Sequence, residues 1–150
     1  MKIFSPDLIQ IGYYGLDKKS CLQEMVDFIY KKGIISASDS FFKLIYEREE
    51  IMSTGIGRNI AIPHARSRLV REFKISVFIL KNAIDFNSLD GELVKIIFLI
   101  AVPEDMKQEY MKVLSLLSNF CREAENRDKL INSNSAEEAY EYLRGIENEI

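Results

Sequence analysis

The chain has 150 residues, 47% of them hydrophobic and 29% charged, with a formal net charge of −3. That length fits one domain, expected to span residues 1–150, and the weak acidity argues against nucleic acid or an anionic membrane as the main partner. One histidine, two cysteines and a longest apolar run from Ile96 to Val102 leave no zinc ligand set and no segment approaching the ~20 residues of a bilayer crossing.

Met1-Lys2-Ile3-Phe4-Ser5-Pro6 lacks the apolar core and cleavage site of a secretory leader, so a cytoplasmic protein is expected. Leu8 to Ile11 reads as a short strand ended by Gly12 and Gly15. Asp17 then caps a helix in which Leu22, Met25, Val26 and Ile29 share a face and which Gly33 stops. Cys21 lies in this pattern and Cys121 in a later one, and both read as buried free thiols. A second helix begins near Ser38-Asp39, with Phe41, Phe42, Leu44 and Ile45 apolar and Glu47-Arg48-Glu49-Glu50 as its polar end. After a glycine-rich segment, Ile60-Ala61-Ile62 forms a strand that Pro63 ends.

Lys74 to Leu80 and Val94 to Val102 read as strands, the second buried on both faces, with turn chemistry from Asp85 to Gly91 between them. From Glu104 to about Ala124 the period is helical, and Met106, Tyr110, Val113, Leu114, Leu117, Phe120 and Cys121 make its buried stripe. Ser135-Ala136-Glu137-Glu138 is a capping box that opens a last helix through Leu143. Helices alternating with buried strands predict a single α/β domain, a β-sheet sandwiched between helices. Strand order and direction are not encoded in this pattern.

The only imidazole, His64, follows Ser53-Thr54-Gly55-Ile56-Gly57-Arg58-Asn59 and a proline-ended strand. Such a segment can turn backbone amides and the Ser53 and Thr54 hydroxyls toward one oxyanion, and Arg48 and Arg58 offer guanidinium forks. Neutral imidazole attacks phosphorus, and a phosphoimidazole passes the group on. The plainer alternative is a histidine that ends a strand and bonds a backbone carbonyl. Arg66, Arg68, Arg71 and Lys74 form a basic cluster, either plain surface or a patch that docks an acidic partner or steers phosphate.

The run Arg48-Glu49-Glu50-Ile51-Met52-Ser53-Thr54-Gly55-Ile56-Gly57, followed by Ile60-Ala61-Ile62-Pro63-His64, resembles the signature of the fructose/mannitol-type IIA domains of the bacterial sugar phosphotransferase system, which the nitrogen-regulatory IIA proteins share. Ile84-Asp85-Phe86, Leu89-Asp90-Gly91 and Phe98 to Pro103 resemble that family's later blocks in the same order. The resemblance implies the IIA fold with its mixed sheet. It implies a phosphotransferase component that takes a phosphoryl group from HPr onto His64 and passes it to a IIB domain, with no cofactor. In the nitrogen-regulatory alternative the phosphorylation state controls binding to a regulatory protein. Arg48 corresponds to the arginine that holds the phosphoryl group, and Ser53, Thr54 and Gly55 to the surrounding loop. Glu49 either orients that arginine or is a solvated helix-end carboxylate. Three positions depart from the pattern: Asn59 and Ala65 stand where glycine is common, and Tyr110 where many members carry a second histidine. Asn59 tolerates the positive φ that such a glycine supplies, and a tyrosine hydroxyl still donates a hydrogen bond. Tyr110 also lies on the apolar stripe of its helix, as a core tyrosine would.

Overall fold

A computed structural model describes the whole chain, residues 1–150. Its centre is the antiparallel pair β5 (Lys74–Ile84) and β6 (Val94–Pro103), with Phe78 opposite Ile97. β1 (Ile9–Tyr13) runs parallel to β5 on one side. On the other, β3 (Ile60–Ala61) and β4 (His64–Ser67) follow one another along β6, both parallel to it, and β2 (Gly55–Gly57) closes that edge antiparallel to β3. The result is a mixed six-stranded sheet in one α/β domain.

The apolar run of β6 divides by strand periodicity. Ile96, Phe98, Ile100 and Val102 pack into one cluster, under α3 (Lys107–Arg122), α4 (Ala124–Ile131) and α5 (Ala136–Glu147). Ile97, Leu99 and Ala101 pack into the other, under α1 (Lys18–Lys31) and α2 (Ser38–Ile51). Both expected caps form. Asp17 accepts the Ser20 N–H at 2.8 Å, and Ser135 Oγ accepts the Glu138 N–H at 3.1 Å. Cys21 and Cys121 are buried and unpaired, and burial pushes both thiols up to about 12. No helix is long and apolar enough to cross a membrane.

Several boundaries differ from the sequence reading: β5 runs past Leu80 to Ile84, and α3 begins at Lys107 instead of Glu104. β1 starts at Ile9 because Pro6–Leu8 form a 3-10 turn. The helix expected to run from Glu104 to about Ala124 stops at Arg122. Side chains of the next helix close its end: Asn126 Nδ2 donates to the Phe120 carbonyl, and Arg127 Nη1 to those of Cys121 and Arg122. α5 continues past Leu143 to Glu147, whose buried carboxylate accepts the Ile3 N–H at 2.9 Å. β3 ends at Ala61, one residue short of the expected strand, and the chain resumes pairing straight after Pro63, so His64 opens β4 instead of ending a strand.

Candidate functional site

Two layers and the sheet meet at His64. It pairs with Ile100 of β6, whose side chain faces the α3–α5 layer, so its ring projects to that face. There it lies half-buried against Tyr110 of α3, the ring centroids 5.6 Å apart and tilted by 52°. The Nδ1 atom is 2.7 Å from the Ile62 carbonyl oxygen. A carbonyl only accepts, so Nδ1 carries the proton and Nε2 keeps its lone pair. The carbonyl-bonded histidine of the plainer alternative and the nucleophile of the chemical one are thus the same geometry. Burial holds the imidazole below its ordinary pKa, with help from the Arg48 guanidinium and against the Ile62 hydrogen bond and the Glu49 carboxylate. A neutral ring with a fixed tautomer results.

Arg48 enters from the other layer. It lies in the last turn of α2, where Nη1 donates to the Met52 carbonyl at 2.7 Å, and its charge acts on both His64 and Tyr110. Burial raises the Tyr110 hydroxyl above its usual pKa while Arg48 and Arg66 draw it back, so it remains a protonated donor.

Glu49 is neither solvated nor bonded to Arg48. It is 3% exposed, and Oε1 accepts the Thr54 N–H at 3.0 Å and pairs with Lys18 Nζ at 3.0 Å. The lysine also donates to the Phe86 carbonyl at 3.3 Å and lies over the Phe86 ring. Glu49 therefore anchors the loop after α2 and does not orient the arginine by contact. Its burial depends on Lys18, which local sequence around α2 does not reveal.

The expectation that the glycine-rich segment presents an amide nest is also corrected. The Thr54 amide is bonded to Glu49, the Gly55 amide to Ser53 Oγ at 3.0 Å and the Arg58 amide to Asp90 Oδ2 at 3.2 Å. Ser53 Oγ donates to the Phe86 carbonyl at 2.6 Å, and the Thr54 hydroxyl is buried without a partner, as are Glu49 Oε2 and Ser88 Oγ. Ser53 Oγ and the Gly55 carbonyl, which accepts the Leu89 N–H at 3.3 Å, thus clamp the 85–91 turn onto the sheet edge, while the Thr54 carbonyl accepts the Ile62 N–H at 3.0 Å. A Cβ at Gly55 would collide with Ser88 Oγ and lie 3.0 Å from Ser88 Cα, so this close approach requires glycine. Arg58 and Asn59, at φ 58 and φ 69, form the two-residue turn between β2 and β3, and Asn59 keeps the left-handed backbone in place of glycine. Arg58 extends to the Arg122 carbonyl at 3.5 Å, at the end of α3, and supplies no fork beside His64.

The basic cluster disperses. Arg71 donates to the Gly33 carbonyl, Lys74 to that of Lys2, and Arg68 pairs with the Glu104 carboxylate at 3.7 Å. Of the cluster, only Arg66 shares β4 with His64, two residues on and so on the same face. A cavity of about 400 Å³ at the end of α2, lined by Lys18, Glu49, Met52 and Ser53 among others, does not include His64. The half-buried site can hold a neutral nucleophilic nitrogen within reach of a cation's charge and against a hydroxyl donor.

Residues 2–145 match the family model described as the phosphoenolpyruvate-dependent sugar phosphotransferase system, EIIA 2. The fructose-specific EIIABC component of Bacillus subtilis is 31% identical over 89% of this chain, which spans about a fifth of that relative, 21% of its length. The crystal structure of the nitrogen regulatory protein IIA-Ntr from Neisseria meningitidis superposes with a TM-score of 0.89 at 28% identity, covering 94% of this chain and 96% of that one. In fold, the chain also matches a complex of enzyme IIA and phosphorylated enzyme IIB of the Escherichia coli mannitol system. The TM-score is 0.81 at 18% identity, with 95% of this chain and 99% of that chain covered.

Proposed function

This chain belongs to the EIIA 2 family of the phosphoenolpyruvate-dependent sugar phosphotransferase system, and on that premise we propose that His64 carries a phosphoryl group from HPr to a IIB domain in the cytoplasm. Residues 1–150 act as one IIA domain. The observation that carries this reading is the Nδ1–H bond to the Ile62 carbonyl, which leaves Nε2 as the attacking atom.

In the first step the Nε2 lone pair forms a bond to phosphorus while the nitrogen–phosphorus bond of the donor breaks, its electron pair returning to the donor imidazole. Positive charge on the His64 ring is stabilised by the Ile62 carbonyl through Nδ1–H. Arg48 neutralises oxygens of the phosphoryl group, and the Tyr110 hydroxyl donates a hydrogen bond where many members have a second histidine. In the second step a cysteine thiolate of the IIB partner attacks phosphorus and the electron pair returns to Nε2. Glu49 and Thr54 support the site by fixing the 49–55 segment, and Ser53 and Gly55 by holding the 85–91 turn against it. No step calls for a cofactor.

A second reading rests on the near-complete overlap with the Neisseria IIA-Ntr structure. There the same phosphohistidine switches binding to a regulatory protein instead of feeding a transporter. The test common to both is incubation with phosphoenolpyruvate, enzyme I and HPr. Wild-type protein is expected to take up one phosphoryl group and His64→Ala none. Equal labelling of the two, or no labelling of wild type, overturns the proposal.

A further inference from the structure

We infer that Arg66 supplies a second guanidinium to the phosphoryl group on His64, an inference that rests on the reading of His64 as the carrier. Three observations place it there. In β4, His64 opposes Ile100 and Arg66 opposes Val102, and both β6 residues pack into the cluster beneath α3. The two side chains therefore leave the strand on one face, about 6.6 Å apart along it. Next, Arg66 Nη1 donates to the carbonyl of Glu104 at 2.5 Å, just ahead of the helix that brings Tyr110 against the His64 ring. One nitrogen is thereby tied down, and the rest of the fork has no bond within the protein. Finally, the charges of both Arg48 and Arg66 act on the Tyr110 hydroxyl, so both guanidiniums lie within electrostatic reach of the side chain packed against the His64 ring.

The two arginines share a design. Each is tethered by one nitrogen to a backbone carbonyl, Arg48 to Met52 and Arg66 to Glu104, and neither is paired with a carboxylate. A guanidinium held this way keeps its charge and free N–H donors for an anion. Arg48 arrives from the α2 layer and Arg66 from the His64 strand itself. A phosphoryl group on Nε2 thus meets two guanidiniums from different elements, beside Tyr110. Phosphoryl transfer depends on such positioning and charge compensation. Neighbouring Arg68 is a natural contrast, since its guanidinium pairs with the Glu104 carboxylate and it lies beyond the end of β4.

The experiment uses phosphoramidate, a small phosphoryl donor that needs no docking surface. With it, Arg66→Ala is expected to slow His64 phosphorylation about ten- to hundredfold, the scale of one lost charge-assisted contact. Arg66→Lys, which keeps charge without the fork, should fall between, and Arg68→Ala should match wild type. In phosphorylated wild type, the 31P shift should also titrate at lower pH than in Arg66→Ala, a readout that a purely structural role would not move. An Arg66→Ala protein as fast as wild type with phosphoramidate but slow with phospho-HPr makes Arg66 a docking residue and overturns the inference. So does equal slowing by Arg68→Ala. Wild type that takes no phosphate from either donor fails the His64 reading instead.

Discussion

From Ile75 to Leu80 and from Ile96 to Val102 the chain buries aliphatic and aromatic side chains almost without interruption, Ser76 being the exception. From Glu49 to His64 it buries a carboxylate and a threonine hydroxyl, passes through two non-glycine residues of positive φ and leaves oxygens of Glu49 and Thr54 without partners. The first region is held by apolar area, which is non-directional and tolerant of detail. The second is held by individually matched polar groups, where an unmade bond is costly. The difference shows where this molecule accepts strain: at the edge where α2, β4 and α3 converge on one imidazole.

The two regions should separate under mutation. Phe98→Ala in the central strand is expected to cost about 3–5 kcal/mol, as large-to-small core changes do. The loss is read from urea unfolding, while His64 in the remaining folded protein still accepts phosphate at the wild-type rate. Loss of labelling without loss of stability would show the regions to be one unit.

Gly55→Ala drives a methyl group into Ser88 and should cost about 1–3 kcal/mol. Adding Ser88→Gly should restore part of that stability and of the labelling rate. Strict additivity of the two changes would mean that the 85–91 turn does not close onto Gly55 in solution.

The smallest effect is in pH dependence. The folded imidazole of His64 titrates below its ordinary value near 6.5, because burial disfavours the cation. The fall in labelling with acid should therefore be centred below the free-imidazole value. Stability follows the same sign. The unfolded chain takes up the proton near pH ~6.5 while the folded ring resists it, so the His64 contribution is present above that value and is lost as pH falls through the folded pKa. NMR titration of the lone imidazole reads the midpoint directly, and a value above that of a free histidine would contradict the desolvated setting.

Much of this was legible because the informative signals are local. Asp17 and Ser135 announce helix starts, the Val94–Val102 run announces a doubly buried strand, and Asn59 is a residue that tolerates the turn it occupies. His64 stood out by its chemistry, and Arg48 was separated from Arg58 only by the resemblance of the run from Arg48 to His64 to the IIA signature. What was not legible depends on contacts distant in sequence. Glu49 reads as the polar end of a helix until Lys18 of α1 is placed beside it. The amides of Thr54 and Arg58 look free for an anion until Glu49 and Asp90 claim them. Pro63 marks a strand end locally, yet β6 offers a continuous parallel edge on which His64 to Ser67 resume pairing. The break at Glu123 carries no glycine or proline. It is set by Asn126 and Arg127 folding back onto α3 carbonyls, a tertiary feature without a periodic signature.

Long-range 1H–15N correlation of the His64 ring, recorded before and after phosphorylation, tests the role of this imidazole most directly, since a lone histidine leaves the assignment unambiguous. The Nδ1–H tautomer is expected in the free protein, with phosphorus bonded to Nε2 and Nδ1 still protonated after transfer. Phosphate on Nδ1, or on a residue other than His64, would contradict it.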